Sequence, residues 1–102
     1  MLDKMKQLYE LQKKAKEIKK VLENMVVNVE EAGGKIKISM NGEFRIQLLS
    51  IDEYFLSPEK KSELENTLKR AISNAVGQTQ SQAAGKMKEL TKGLNLPDIP
   101  GL

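Results

Sequence analysis

The stretch Lys35–Ile51, KIKISMNGEFRIQLLSI, decides the fold. Its first half alternates Ile36 and Ile38 with Lys37 and Ser39, the period-two pattern of a strand with one buried face. Asn41–Gly42 is a hairpin signal, and residues 43–51 read as the return strand. A two-residue turn at Asn41–Gly42 would set Ile38 opposite Arg45 and Ile36 opposite Gln47, with polar groups on the apolar face. A three-residue loop, Met40–Asn41–Gly42, sets Ile38 opposite Phe44 and Ile36 opposite Ile46, with Gly42 in the left-handed position of a bulged turn. The second register is preferred, because a slip of one residue inverts every side chain. Phe44 then belongs to the core. Farther along, the apolar set shifts from Phe44, Ile46 and Leu48 to Leu49 and Ile51, so either a bulge lies there or both faces are covered.

Upstream, VVNVEE at 26–31 is β-branched and alternating, and AGGK at 32–35 is a turn, with Gly33 and Gly34 free to take positive φ. The middle of the chain is therefore a three-stranded antiparallel meander over residues 26–51.

Helical patterns flank it. In residues 2–25, Leu8, Leu11, Ala15, Ile18, Leu22 and Met25 recur at steps of three and four, with no Gly or Pro inside. At 1.5 Å per residue this helix spans about 36 Å, whereas a compact 100-residue globule has a radius of gyration of about 13 Å. One end should project beyond the body. Downstream, Ser57, Pro58 and Glu59 form a helix start: a capping residue, a proline suited to the first turn, and an acid at the positive end. Leu64, Leu68, Ala71, Ile72, Ala75 and Thr79 share a face, and Ala83, Met87 and Leu90 resume it before Gly93. Pro97 and Pro100 forbid helix in the tail. The chain reads as one α+β domain over 1–102: a helix at 1–25, the sheet at 26–51, a helix at 57–92 and an irregular tail at 93–102.

A self-paired zipper on the first helix is poorly specified. With Leu8 at position a, Lys14 and Lys19 fall at facing g and e positions and repel, and Ala15 fills little volume. Antiparallel pairing with the last helix is preferred. Ile18, Leu22 and Met25 would lie on the sheet with Leu64, Leu68 and Ile72, while Leu2, Met5, Leu8 and Leu11 run out beside Ala83, Met87 and Leu90. The two long helices would form a projecting arm.

Composition bounds the chemistry. The 102 residues are 39% apolar and 30% charged, too apolar for a disordered chain. No cysteine and no histidine are present, which removes disulfides, thiolates and the commonest general base and metal ligand. Asp52, with Glu53 and Tyr54 beside it, is the one acid cluster to weigh for catalysis; a turn aspartate accepting backbone N–H groups is the commoner role. No catalytic residue, metal, cofactor or small-molecule substrate is expected. AGGK lacks the spacing and the following helix of a phosphate loop. No apolar run approaches the roughly 18 residues of a membrane span, and the N-terminus lacks a signal peptide's apolar block, so no membrane partner and a cytoplasmic location are expected.

The net charge of +3 is unevenly spread. Residues 1–25 hold seven lysines against four acids, for +3; residues 26–57 hold three basic groups against five acids, for −2; residues 58–82 and 83–102 carry +1 each. Anionic partners should meet the helical ends. The arm lysines are Lys4, Lys6, Lys13 and Lys14, then Lys86, Lys88 and Lys92. With only Arg45 and Arg70 there is no set of base readers, and with four aromatics base stacking is poorly supported.

MKQ at 5–7, LQKKAKEIKK at 11–20, ISMNG at 38–42, SID at 50–52, SNA at 73–75 and GLNLP at 93–97, in that order, resemble the YbaB/EbfC family of bacterial nucleoid-associated proteins. The family's frequent Gly-rich N-terminus is missing, and Glu53 stands where a proline often follows the aspartate. The resemblance implies an α-β-β-β-α protomer and a homodimer whose helical arms open like tweezers. It implies binding of duplex DNA in the nucleoid, mainly through the phosphate backbone and with weak or variable sequence preference. The seven arm lysines are the expected DNA contacts. The alternative is a protein-interaction clamp or scaffold without direct DNA binding, holding a partner on Leu2, Met5, Met87 and Leu90.

Overall fold

The computed structural model describes residues 2–92; the expected tail at 93–102 and the side chain of Leu2 lie outside the described residues. Helix α1 spans Leu2–Asn24, strands β1, β2 and β3 span Val27–Glu31, Ile36–Met40 and Ile46–Ile51, and helix α2 spans Lys61–Leu90. Two short 3₁₀ turns, Glu53–Phe55 and Pro58–Lys60, join β3 to α2. The sheet is an antiparallel meander in the order β1-β2-β3. The expected α-β-β-β-α order stands.

α2 lies across β1 and β2. It meets them with Thr67, Ala71, Ala75 and Thr79, every fourth residue, all buried. Their small side chains let the helix come close to Val27, Val29, Ile36, Ile38 and Met40, and Phe55 closes the end of this core. Leu64 and Leu68 flank the row, half-buried. Ile72, expected on the sheet, is 40% exposed, and Thr67 takes a place the expected stripe did not include. At the edge of this row Asn74 donates to the Glu31 carboxylate at 2.6 Å, an exposed bond between α2 and β1.

The expected register of the second hairpin is wrong. Ile36 pairs with Ile51, Ile38 with Leu49, and Met40 with Ile46. The loop is Asn41–Arg45. One extra residue, Gln47, lies between the partners of Ser39 and Met40. That bulge puts Ile46, Leu49 and Ile51 on the same face as the buried side chains of β2. Phe44, not Gly42, takes the left-handed conformation, at φ 64°, and it is 45% exposed rather than core. In the first hairpin Gly33 and Gly34 do take positive φ, as does Ala32.

The start of the second helix also differs. Ser57 makes no side-chain capping bond; its carbonyl accepts from the Lys60 N–H, closing a 3₁₀ turn before the α-helix begins at Lys61. Tyr54 ties this entry together. The Lys60 ammonium donates to the Tyr54 hydroxyl at 2.7 Å, and the hydroxyl donates to Glu63. Lys60 also stands over the Tyr54 ring, 4.1 Å from its centroid.

The radius of gyration is 18.8 Å, and the molecule measures 67 × 20 × 18 Å. The excess over a compact chain of this length is the arm. α1 packs along α2 rather than across the sheet, so Ile18 does not lie on it as expected, and Leu22 and Met25 meet it only at the Asn41–Gly42 corner. Their residue level faces α2 around 82–89, across two shallow clefts that share Met25 and Lys86. From Met25 back to Leu11, α1 covers about 21 Å, whereas α2 has about 8 Å left after Gly85. The expected pairing of Met5, Leu8 and Leu11 with Ala83, Met87 and Leu90 is therefore displaced. The first turns of α1 pass beyond Leu90, and Met5, Leu8, Tyr9 and Leu11 are exposed.

Thr79 is fully buried, and its hydroxyl has no hydrogen-bond partner among the described residues. Thr67, in the same row, donates its hydroxyl to the Glu63 carbonyl. Thr79→Val keeps the shape and removes a dehydrated hydroxyl, so it should stabilise the fold by about 1 kcal/mol, read as a higher denaturation midpoint at unchanged slope. Thr67→Val, which breaks a bond, should not.

The hydrogen bond to Tyr54 raises the Lys60 ammonium above its ordinary 10.5; partial loss of hydration opposes this, and the charge of Glu63 adds to it. A lysine raised in the folded state stabilises the protein below its unfolded pKa, and that contribution fades as pH climbs past 10.5. Tyr54→Phe should bring Lys60 back toward its ordinary value in a lysine side-chain NMR titration and reduce this alkaline loss.

Candidate nucleic-acid interface

α1 forms because residues 2–24 hold no glycine or proline and are rich in Leu, Lys, Glu and Gln, all strong helix formers. Its sides differ. Residues seven apart nearly eclipse, so Lys6, Lys13 and Lys20 fall in one row along the helix, about 10.5 Å apart. All three are exposed. At the base of the arm, Lys20 lines a shallow cleft with Glu17, Val21, Asn24, Met25 and Lys86 of α2. The cleft joins the lysines of the two helices on one side of the arm.

The seven expected contacts divide on this geometry. Lys6 and Lys13 stand in the row, and Lys86 meets its lower end. Lys14 turns toward the inner side, half-buried and paired with Glu17 at 3.5 Å. Lys4 continues the apolar line of Leu8, Leu11 and Ile18 rather than the lysine row. Lys88 lies on a different face of α2 from Lys86, and Lys92 stands in the turn after the helix ends at Leu90. Lys86 is paired with Glu89 at 3.8 Å. Among the described residues, no carboxylate lies within 4 Å of the ammonium groups of Lys4, Lys6, Lys13, Lys88 or Lys92. The pairs at Lys14 and Lys86 are partly exposed contacts within one helix, which contribute little and yield readily to a competing anion. Lys20 was not among the expected contacts. The seven-residue recurrence from Lys6 was the signal for it.

Asp52 behaves as a turn residue. Its carboxylate accepts from the Tyr54 N–H at 3.0 Å and caps the Glu53–Phe55 turn. Among the described residues there is no cluster of three groups that could hold a metal ion, and no helix long and apolar enough to cross a membrane.

A second exposed surface accompanies the arm. On β3, Ile46, Leu48 and Leu49 are each about half exposed. Ile46 and Leu49 lie on the face that α2 covers over the neighbouring strands but not here, while Ile51, on the same face, packs against the core. Asn74 leans to β1, so Ile72 and Val76, on the opposite flank of α2, border this uncovered part. The result is an apolar trough with β3 as its floor and α2 as its wall.

Residues 1–94 match the model of the YbaB/EbfC DNA-binding family. A nucleoid-associated protein of Dictyoglomus thermophilum is 36% identical over 98 residues, covering 96% of this chain and 92% of that protein. One of Rhodopseudomonas palustris is 35% identical over 101 residues, covering 99% and 94%. The crystal structure of an uncharacterised Helicobacter pylori protein, HP0035, shares the fold with a TM-score of 0.72 at 18% identity, over 81% of this chain and 87% of that one. The chain belongs to the YbaB/EbfC DNA-binding family.

Proposed function

We propose that the protein is a nucleoid-associated homodimer that grips duplex DNA through the phosphate backbone with its helical arms. The observation that carries this reading is the exposed row Lys6–Lys13–Lys20, held out beyond the body and joined at its base to Lys86. Lysines act as point charges toward phosphate, and backbone contacts carry no sequence information. Arg45 and Arg70 are the chain's two arginines, and neither lies on the projecting part of the arm. Sequence preference should accordingly be weak. No catalytic role is assigned to any residue.

The apolar trough supports the dimer reading. An exposed strand presenting Ile46 and Leu49 on the trough face is an aggregation hazard unless something covers it. A second copy, presenting the same trough, would cover it by two-fold symmetry and set two arms at opposite ends of one joint.

The exposure of Met5 and Leu8 at the arm tip favours a second reading, a clamp on a protein partner. Partner capture insensitive to salt, with no DNA shift at low salt, would decide for it.

Binding that neutralises about four to six phosphates should give a slope of log K against log salt of about −4 to −5. Lys6→Gln, Lys13→Gln and Lys20→Gln together should make the slope shallower by about 2.7 with the fold intact; an unchanged slope counts against the row. Lys14→Gln should have the least effect of any arm lysine. Leu49→Glu should give a monomer by sedimentation at micromolar concentration where the unaltered chain is a dimer.

A further inference from the structure

The base of α1 is held by a corner of the sheet. The Gly42 N–H donates to the Leu22 carbonyl at 2.8 Å, and the Asn41 side-chain amide donates to the Glu23 carbonyl at 3.4 Å. These are carbonyls of the last helical turn, which lack partners within the helix. The approach is close. A Cβ built on Gly42 would stand 2.8 Å from the Leu22 carbonyl oxygen, 2.9 Å from the Met25 sulfur and 3.0 Å from the Leu22 Cα. Only glycine leaves room for the helix to seat there.

The corner is itself stiff. Asn41 is 3% exposed, and its side-chain oxygen accepts from the N–H groups of Glu43 at 2.9 Å and Arg45 at 3.0 Å. Its own N–H donates to the Arg45 carbonyl, and its carbonyl accepts from the Phe44 N–H. This ring of bonds holds Phe44 at its unfavourable positive φ. α1 meets a loop that does not give.

We propose that Asn41 and Gly42 are positioning residues for DNA binding: they fix the direction of the α1 arm and so the place where its lysines meet phosphate. This rests on the arm reading given above. The leverage is large, since Lys6 lies about 24 Å along the helix from Leu22, and a 10° rotation at the base moves it about 4 Å. Beyond the corner, α1 is steadied by its contact with α2, which ends below Lys6 and Lys13.

The chain has no cysteine, so labels placed at Gln7→Cys and Glu65→Cys, both exposed positions, report one arm-to-body distance when labelled chains are diluted into unlabelled ones. Gly42→Ala should shift that distance by several ångströms and make the salt slope shallower by about 0.9 for each phosphate no longer reached, with every lysine still present. Asn41→Asp keeps both acceptor bonds within the loop but replaces the donor to Glu23 with a charge that repels its carbonyl. It should shift or broaden the distance, and it decides the matter if Gly42→Ala does not fold. An unmoved distance overturns the proposal, as does a moved distance with an unchanged slope in a protein whose Lys6, Lys13 and Lys20 variant loses slope. If that lysine variant keeps its slope, the arm reading fails, and the distance alone decides whether the corner directs the helix.

Discussion

A helix is about 10 Å across and strands stand about 4.8 Å apart, so one helix covers two strands and not three. That constraint organises this molecule. α2 spends its narrow row of Thr67, Ala71, Ala75 and Thr79 on β1 and β2. β3 is left uncovered by α2 although Ile46 and Leu49 face that side. A second helix could have covered it, but α1 is seated on the Asn41–Gly42 corner and directed along α2 instead. The open trough and the projecting arm are thus two results of one arrangement. The trough leaves apolar surface uncovered, and the arm supplies reach.

The order of elements was legible in the sequence because each carries its own period. Alternation marks Ile36–Met40, the three-and-four spacing marks the helices, and Asn41–Gly42 marks the turn between strands. The register was not legible. Both turns considered assumed a short loop, and a five-residue loop closed by Asn41's own side chain leaves no trace in the apolar pattern. The shift from Ile46 to Leu49 did announce a bulge, but Gln47 as its site follows from backbone pairing alone. Ile72 was misplaced for a related reason. A large apolar residue next to a row of small ones looks like core, yet the small ones are what allow close contact, and Ile72 is pushed to the flank.

Selecting lysines by element, rather than by side of the helix, blurred the candidate site. Lys4, Lys6, Lys13 and Lys14 share α1 and are equivalent by charge count, but Lys14 faces inward and Lys4 continues the apolar line. Lys20 completes a row that the seven-residue recurrence already contained. How far α1 slides along α2 is set at Gly42 by a contact between residues twenty apart, with no local signature. Lys86 beside Lys20, rather than beside the helix tip, follows from that slide.

Length and charge together have a further consequence. The arm helix carries +3, the segment from the first strand through Ser57 carries −2, and the molecule is 67 Å long. Separation on that scale makes the chain a permanent electric dipole aligned near its long axis. In the field of a polyanion the basic arm is drawn in and the acidic middle pushed away before anything touches. Orientation is then settled during approach, which shortens the search among rotational poses that a rod twenty ångströms wide would otherwise face.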